Sequence, residues 1–173
     1  RSTGEVMGVS ERFSIAFAKS QLAAGEVLPS EGKIFISVAA GAKGRVIDLA
    51  RRLESMGFEI LATRGTAEAL GDAGIESFLV QKLQEGHPNL LDFLQDDDVA
   101  LIMNTPSGKG ARTDEGRIRA AAVSHGVPCL TTLEAMEAAV KAMEALREEG
   151  ISVQALQDRF PHLARGKQTA SSR

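Results

Sequence analysis

Residues 61–70 read Leu61-Ala62-Thr63-Arg64-Gly65-Thr66-Ala67-Glu68-Ala69-Leu70, and here the chain turns from strand to helix. Residues 58–62 suit a short buried strand, and residues 67–70 open a helical pattern. Between them lie two threonines and a glycine. A strand that ends in small polar residues and runs into a helix leaves backbone N–H groups free at the positive end of the helix dipole, which is the chemistry of an anion pocket. Read by itself, the stretch favours a plainer account, in which Thr63 or Thr66 caps the helix and Gly65 eases the turn.

The flanking sequence repeats this alternation. A strand is expected over 34–38, a helix over 46–56 stopped by Gly57, the strand 58–62, a helix over 67–73 stopped by Gly74, and a strand over 75–80. A short helix over 89–94, a strand over 99–103, a helix over 114–125, a strand over 127–130 and a long alanine-rich helix over 132–147 complete the series. The pattern predicts an α/β domain of three αβα layers around a mostly parallel five-stranded sheet. Sheets of that kind place ligand sites outside the carboxyl ends of their strands.

Upstream, Ser10 is expected to cap a helix over 11–24 with Phe13, Phe17 and Leu22, and Ile15 nearby, as its packing stripe, and residues 28–32 read as a linker. The first thirty residues are therefore expected to belong to an element preceding the main domain. The chain opens at Arg1, and its first residues read as the interior of a longer polypeptide. One more short helix is expected over 151–160. The polar end, 162–173, has no periodic face and is expected to be a flexible tail.

Composition narrows the function classes. The 173 residues carry a formal charge of −3, no Trp or Tyr and seven Phe, which argues against bulk attraction to nucleic acid and leaves few stacking platforms. No apolar run reaches the length of a membrane span, and a cytoplasmic setting is the default. The one cysteine, Cys129, sits in an apolar run without metal-ligand spacing and is expected to be a buried thiol. Asp96, Asp97 and Asp98 are expected to form a solvated turn.

Every expected strand end carries small or polar residues. Lys43 stands at a helix start, where its charge opposes that helix's own dipole unless an anion compensates; the alternative is a solvated loop lysine. Lys82 follows the third strand. After the fourth come Asn104, Thr105, Pro106, Ser107, Gly108, Lys109 and Gly110, rich in groups that bind phosphate but without P-loop spacing. Thr131 and Thr132 follow the fifth strand as a helix cap or a ligand contact. A site built from Lys43, Thr63, Gly65, Thr66, Lys82, Asn104, Thr105, Ser107 and Gly108 is a set of donors and cations without a nucleophile and base. His87, His125 and His162 form no evident pair with Asp, Ser or Cys. This chemistry favours phosphate binding over catalysis, and no metal site is expected.

Taken in order, the segments RSTGEVMG at 1–8, ATRGTA at 62–67, LVQKLQEGHPNLLD at 79–92, IMNTPSG at 102–108 and LTTLEA at 130–135 resemble the carboxyl-terminal, methylglyoxal-synthase-like regulatory domain of the carbamoyl-phosphate synthase large chain. The resemblance implies that residues 1–30 end the preceding ATP-grasp domain and that 31–161 form the regulatory domain. It also implies a parent ligase that makes carbamoyl phosphate from bicarbonate, glutamine-derived ammonia and ATP, with Mg or Mn, for arginine and pyrimidine synthesis. The rest of the large chain and a glutaminase small chain would be its partners, with no cofactor in this part.

By the same resemblance, a nucleotide effector such as UMP or IMP would place its phosphate on Lys43, Thr63, Thr66 and Lys82 and lie along Asn104, Thr105 and nearby residues. Thr131 matches a position that helps bind ornithine, whose other contacts lie upstream. Pro106, Arg64 and Glu115 depart from the enteric pattern, where threonine, histidine and serine are common, and these changes bear on effector identity. Two rival functions remain. Methylglyoxal synthase uses an aspartate in a Gly-Gly-Asp loop after the third strand, whereas this chain has Glu85-Gly86-His87, with Asp92 the nearest carboxylate and expected to face solvent. The other rival is an interface domain without effector, with an alanine-rich packing face over 135–145.

Overall fold

The computed structural model describes residues 7–23, 25, 27–105 and 114–149. The expected segments 1–6, 151–160 and 162–173 lie outside the described residues, as do residues 106–113. The elements run α1 (Phe13–Ala23), β1 (Lys33–Ser37), α2 (Lys43–Ser55), β2 (Glu59–Thr63), α3 (Arg64–Asp72) and β3 (Phe78–Val80). They continue as α4 (Leu90–Gln95), β4 (Leu101–Asn104), α5 (Asp114–Ser124), β5 (Cys129–Leu130) and α6 (Leu133–Glu149).

The five strands form one sheet in the order β3-β2-β1-β4-β5, and every pairing is parallel. Alternation along the central strand explains the layers. Ile34 and Ile36 face one side, joining Ile60, Ala62, Leu101 and Met103 in a core with Leu49 and Leu53 of α2, Leu70 of α3, and Met136 and Val140 of α6. Phe35 faces the other side, with Leu61, Ile102, Leu90 and Leu94 of α4, and Ile118 and Ala122 of α5. The three-layer αβα reading is therefore the observed one. Because the chain works outward from β1 to β3 and then resumes at β4 on the other side of β1, the sheet has its switch point between β1 and β4.

Element ends differ from expectation in a consistent way. The strands β2 and β4 run on through Thr63 and Asn104, polar residues that are nonetheless buried, and α3 begins at Arg64 with no intervening loop. Helix α2 starts at Lys43, three residues before the apolar pattern begins. Strand β3 covers only Phe78–Val80, because Gly74 at φ 75° sends the chain out of α3 with the Ile75 N–H bonded back to the Leu70 carbonyl at 3.0 Å. Gly57 at φ 84° closes α2 the same way, with Phe58 N–H to the Leu53 carbonyl. After α4 the left-handed position falls to Asp97, and Asp98 N–H bonds the Phe93 carbonyl. The expected solvated turn is also an anchor, since Asp98 pairs with Lys33.

Helix α1 packs on α6. Its buried residues are Ile15 and Ala18, while Phe13 and Leu22 of the expected stripe are exposed and Phe17 is half-buried against the core. Of the expected stripe, Ile15 is therefore the residue that is fully buried. No described helix is long and apolar enough to cross a membrane.

Helices α2 and α6 are also joined by ion pairs one heptad apart, Arg45 with Glu134 and Glu137, and Arg52 with Glu144 through bonds of 2.6 and 2.5 Å. The half-buried Arg52–Glu144 pair contributes roughly 0–1 kcal/mol, against about 2–5 kcal/mol for truncating a buried leucine such as Leu53, so the core holds the seam. The Arg52 guanidinium holds the Glu144 carboxyl below its ordinary value of 4.5. A carboxyl whose value falls on folding adds stability above its unfolded value, and that stability is lost as pH drops through the folded one. Glu144→Gln should therefore melt below wild type at neutral pH, and the gap should close from pH 4.5 downward in thermal melts. A gap that does not change with pH would assign Glu144 to packing alone.

Candidate functional site

The carboxyl ends of β1 to β4 enclose a cavity of about 540 Å³, within the range of small-molecule sites. It begins at Ser37, the last residue of β1, which is paired in register with Asn104. Ser37 receives two bonds: its hydroxyl accepts from Thr63 Oγ1 at 3.1 Å, and its carbonyl accepts the Thr105 N–H at 3.1 Å. The next two amides leave the sheet and need acceptors. Val38 N–H donates to Thr66 Oγ1 at 3.3 Å, and Ala39 N–H donates to Thr105 Oγ1 at 2.8 Å. Each hydroxyl that accepts in this way keeps its own proton to donate.

The pinned segment passes through a single 3-10 turn, Ala40–Ala42, into Lys43 at the start of α2. The Lys43 ammonium lies over Gly65, where an added Cβ would sit 3.3 Å from Nζ. Gly65 is the second residue of α3. Thr63 is the N-cap of that helix by position, extended at φ −70° and ψ 152°, but makes no side-chain capping bond and is hydrogen-bonded to Ser37 instead. Thus a cation and the positive end of a nine-residue helix meet at one wall of the cavity. Neither threonine performs the capping that the sequence favoured, because both hydroxyls serve β1 and the segment after it.

Lys82 lines the same cavity from the segment after β3, exposed and 3.8 Å from Glu85. Asn104 is buried, and Thr105 is half-buried beside it. Of the expected set, Lys43, Thr63, Gly65, Thr66, Lys82, Asn104 and Thr105 are brought together. Ser107 and Gly108 lie outside the described residues. Thr131 is half-buried beyond β5 and is not part of the cavity wall, while Thr132 is the cap of α6, accepting from Ala135 N–H at 3.2 Å.

Sequence reading missed several wall residues. Ser37 is one, although a serine ending the apolar run Ile34-Phe35-Ile36 marks a strand terminus. Gln84 and Asp114 are others, joined across the mouth by a 3.0 Å bond from Nε2 to Oδ1. The apolar part of the wall comes from Phe35, Leu83, Leu90 and Ile118. The cavity can therefore hold a molecule with an anionic end, a polar middle and an apolar or aromatic face.

The histidine reading needs correction as well. His87 Nδ1 lies 2.7 Å from Asp92 Oδ2, which also accepts the Asn89 N–H at 2.8 Å as half of a capping box on α4. Asp92 thus is a partnered carboxylate, held below its ordinary value of 3.8 by the Asn89 amide and by His87. Neither His87 nor Asp92 lines the cavity. No cluster of His, Cys, Asp and Glu that could hold a metal occurs among the described residues. Cys129 is half-buried, and burial raises its thiol above the ordinary value.

Thr66 is 2% exposed, so replacing it isolates its hydroxyl. Thr66→Val should speed hydrogen exchange of the Val38 amide roughly fivefold, the equivalent of ~1 kcal/mol for one hydrogen bond, and Thr66→Ser should restore it. Unchanged exchange in the valine variant would show that the amide is held by something else.

A family model described as the MGS-like domain matches residues 45–131. The carbamoyl phosphate synthase large chain of Rhodopirellula baltica is 64% identical over 160 residues, which cover 92% of this chain and 15% of that protein. The carbamoyl phosphate synthase large chain, C-terminal section, of Methanopyrus kandleri is 48% identical over 159 residues, 91% of this chain and 29% of that protein. The large chain of Myxococcus xanthus is 48% identical over 158 residues, 91% of this chain and 15% of its own length. This chain therefore spans less than a third of each of these relatives. Thr63, Gly65, Thr66, Lys82, Asn104 and Thr105 all fall within the matched residues, and the chain belongs to the MGS-like domain family, with carbamoyl phosphate synthase large chains as its relatives.

Proposed function

We propose that this domain is the regulatory nucleotide-binding part of a glutamine-dependent carbamoyl-phosphate synthase large chain and holds a UMP- or IMP-type effector at its strand ends. The observation that carries this reading is the meeting of the Lys43 ammonium with Gly65 at the uncapped start of α3, inside a cavity large enough for a nucleotide. The effector phosphate sits between Lys43 and the first turn of α3, with the Thr66 hydroxyl and Lys82 as further donors and Thr63, whose proton goes to Ser37, in contact beside them. Asn104 and Thr105 lie along the nucleoside, with Ser107 and Gly108 assigned there by resemblance. Asp114 offers its carboxylate to sugar hydroxyls, and the base rests against Leu83, Leu90 and Ile118.

In this reading the parent enzyme is a cytoplasmic ligase. Its ATP and the accompanying Mg or Mn belong to the rest of the large chain, its ammonia comes from the glutaminase small chain, and this domain performs no chemistry. Residues 1–30 end the preceding ATP-grasp domain and 31–161 form the regulatory domain. Thr131 contributes one contact to ornithine, with the others supplied by the rest of the large chain. Effector binding shifts the parent between more and less active arrangements, a linkage for which coupling of about 1–3 kcal/mol is typical.

The lyase alternative lacks support from the site. A proton-abstracting carboxylate would have to face the bound substrate, but Asp92 is committed to the α4 capping box and to His87, away from the cavity wall. Titration of the intact large chain with UMP and IMP tests the effector reading, and binding of neither overturns it. Lys43→Ala should abolish effector sensitivity while leaving effector-free activity intact. Gly65→Ala is the sharper probe. Alanine is favoured over glycine in a helix by about 0.5–1 kcal/mol, so thermal stability should hold or rise while effector affinity falls about tenfold as the new methyl displaces the Lys43 ammonium. Unchanged affinity in both variants would remove the phosphate from this wall.

A further inference from the structure

Two wall residues of the cavity, from different elements, are joined by an exposed hydrogen bond. Gln84 comes from the segment between β3 and α4, Asp114 is the first residue of α5, and the two side chains meet at 3.0 Å although thirty positions separate them. Both line the cavity. An aspartate at an open rim samples several rotamers, whereas one whose Oδ1 is held by an amide N–H presents its other oxygen in a fixed direction. A carboxylate in that position suits a hydroxyl donor and repels a phosphate.

We propose that Gln84 is a positioning residue that fixes the Asp114 carboxylate to read the ribose of the bound nucleotide, so that the cavity prefers ribonucleotides to their 2′-deoxy forms. This rests on the nucleotide-binding reading above. A vicinal diol donates two hydrogen bonds to a carboxylate, and loss of one hydroxyl leaves an oriented acceptor without its partner, the kind of defect by which hydrogen-bonding sites reject analogues. Gln84 is suited to the task because its segment is anchored independently. Asn89 Nδ2 donates to the Gly86 carbonyl at 2.8 Å, and Gln81 N–H donates to the Pro88 carbonyl at 2.8 Å. Removing the Gln84 amide should therefore free Asp114 without dislodging Lys82.

The test is titration of the intact large chain with UMP and IMP, each against its 2′-deoxy form, and with inorganic phosphate. Wild type should favour the ribonucleotide about tenfold, an exposed-rim fraction of what a buried hydroxyl site achieves. In Gln84→Ala the preference should shrink to about twofold through weaker ribonucleotide binding, with 2′-deoxy and phosphate affinities unchanged. Asp114→Asn should erase the preference altogether. A ribose preference that survives Gln84→Ala, or is absent in wild type, overturns the inference and leaves the nucleotide-binding reading standing. Failure of wild type to bind any of the nucleotides overturns both.

Discussion

The site depends on how the segment after β1 satisfies its backbone. A central strand of a parallel sheet has its amides paired on both sides, and where it ends those amides turn to side chains or water as acceptors. Here the acceptors are threonine hydroxyls from two different neighbours, Thr66 of α3 for Val38 and Thr105 after β4 for Ala39. Because β2 leads into α3 on one side of β1 and β4 lies on the other, the two bonds hold the segment from both sides, and the one to Thr105 spans the switch point of the sheet. The path from Ser37 to Lys43 is thereby fixed from both flanks. That path leads through the Ala40–Ala42 turn to Lys43, the first residue of α2, whose ammonium lies over Gly65.

This dependence explains which parts of the molecule could be read in advance. The layers were legible because apolar residues in the strands and helices alternate with the periods that two-sided burial imposes, as in Ile34, Phe35 and Ile36. The strand ends were not, because Thr63 and Asn104 are polar residues that continue a ladder while buried. Much of the cavity wall was visible as polar groups following strands. Its remaining members were hidden for a physical reason, since Gln84 and Asp114 are joined across space by the order of the strands and no local spacing marks them. The His87 and Asp92 pair was hidden in another way. Five positions apart and outside any shared helix, they meet only because the α4 capping box turns Asp92 back toward the preceding segment.

The threonine hydroxyls also bear on how a binding site of this kind differs from a catalytic one. A general base needs a group whose lone pair faces the reacting proton. Thr66 and Thr105 accept from backbone amides and so face the cavity as donors, and Lys43 and Lys82 are cations. The one described carboxylate in the wall, Asp114, has an oxygen engaged by Gln84. Among the described wall residues, donors and cations beside one restrained carboxylate suit an anion with hydroxyls attached, which agrees with the proposed nucleotide.

Helix α3 supplies an internal comparison that separates fold from site. It contains two glycines in nine residues, Gly65 and Gly71, and each weakens the helix relative to alanine by a similar amount. At Gly71 an added Cβ would meet nothing within 4 Å, and the structure offers no reason for the glycine there. At Gly65 the same atom would lie 3.3 Å from the Lys43 ammonium. Propensity, turn geometry and core packing are indifferent to that contact, because Gly65 has helical backbone, lies in the first turn and points away from the buried face of Thr66 and Leu70. What the missing methyl preserves is the approach of a cation to the start of a helix. A contact of that kind opposes the helix dipole and is unfavourable to folding by a few tenths of a kcal/mol or more. A bound anion between the two would turn that unfavourable approach into a favourable one, which is how the proposed phosphate site uses it.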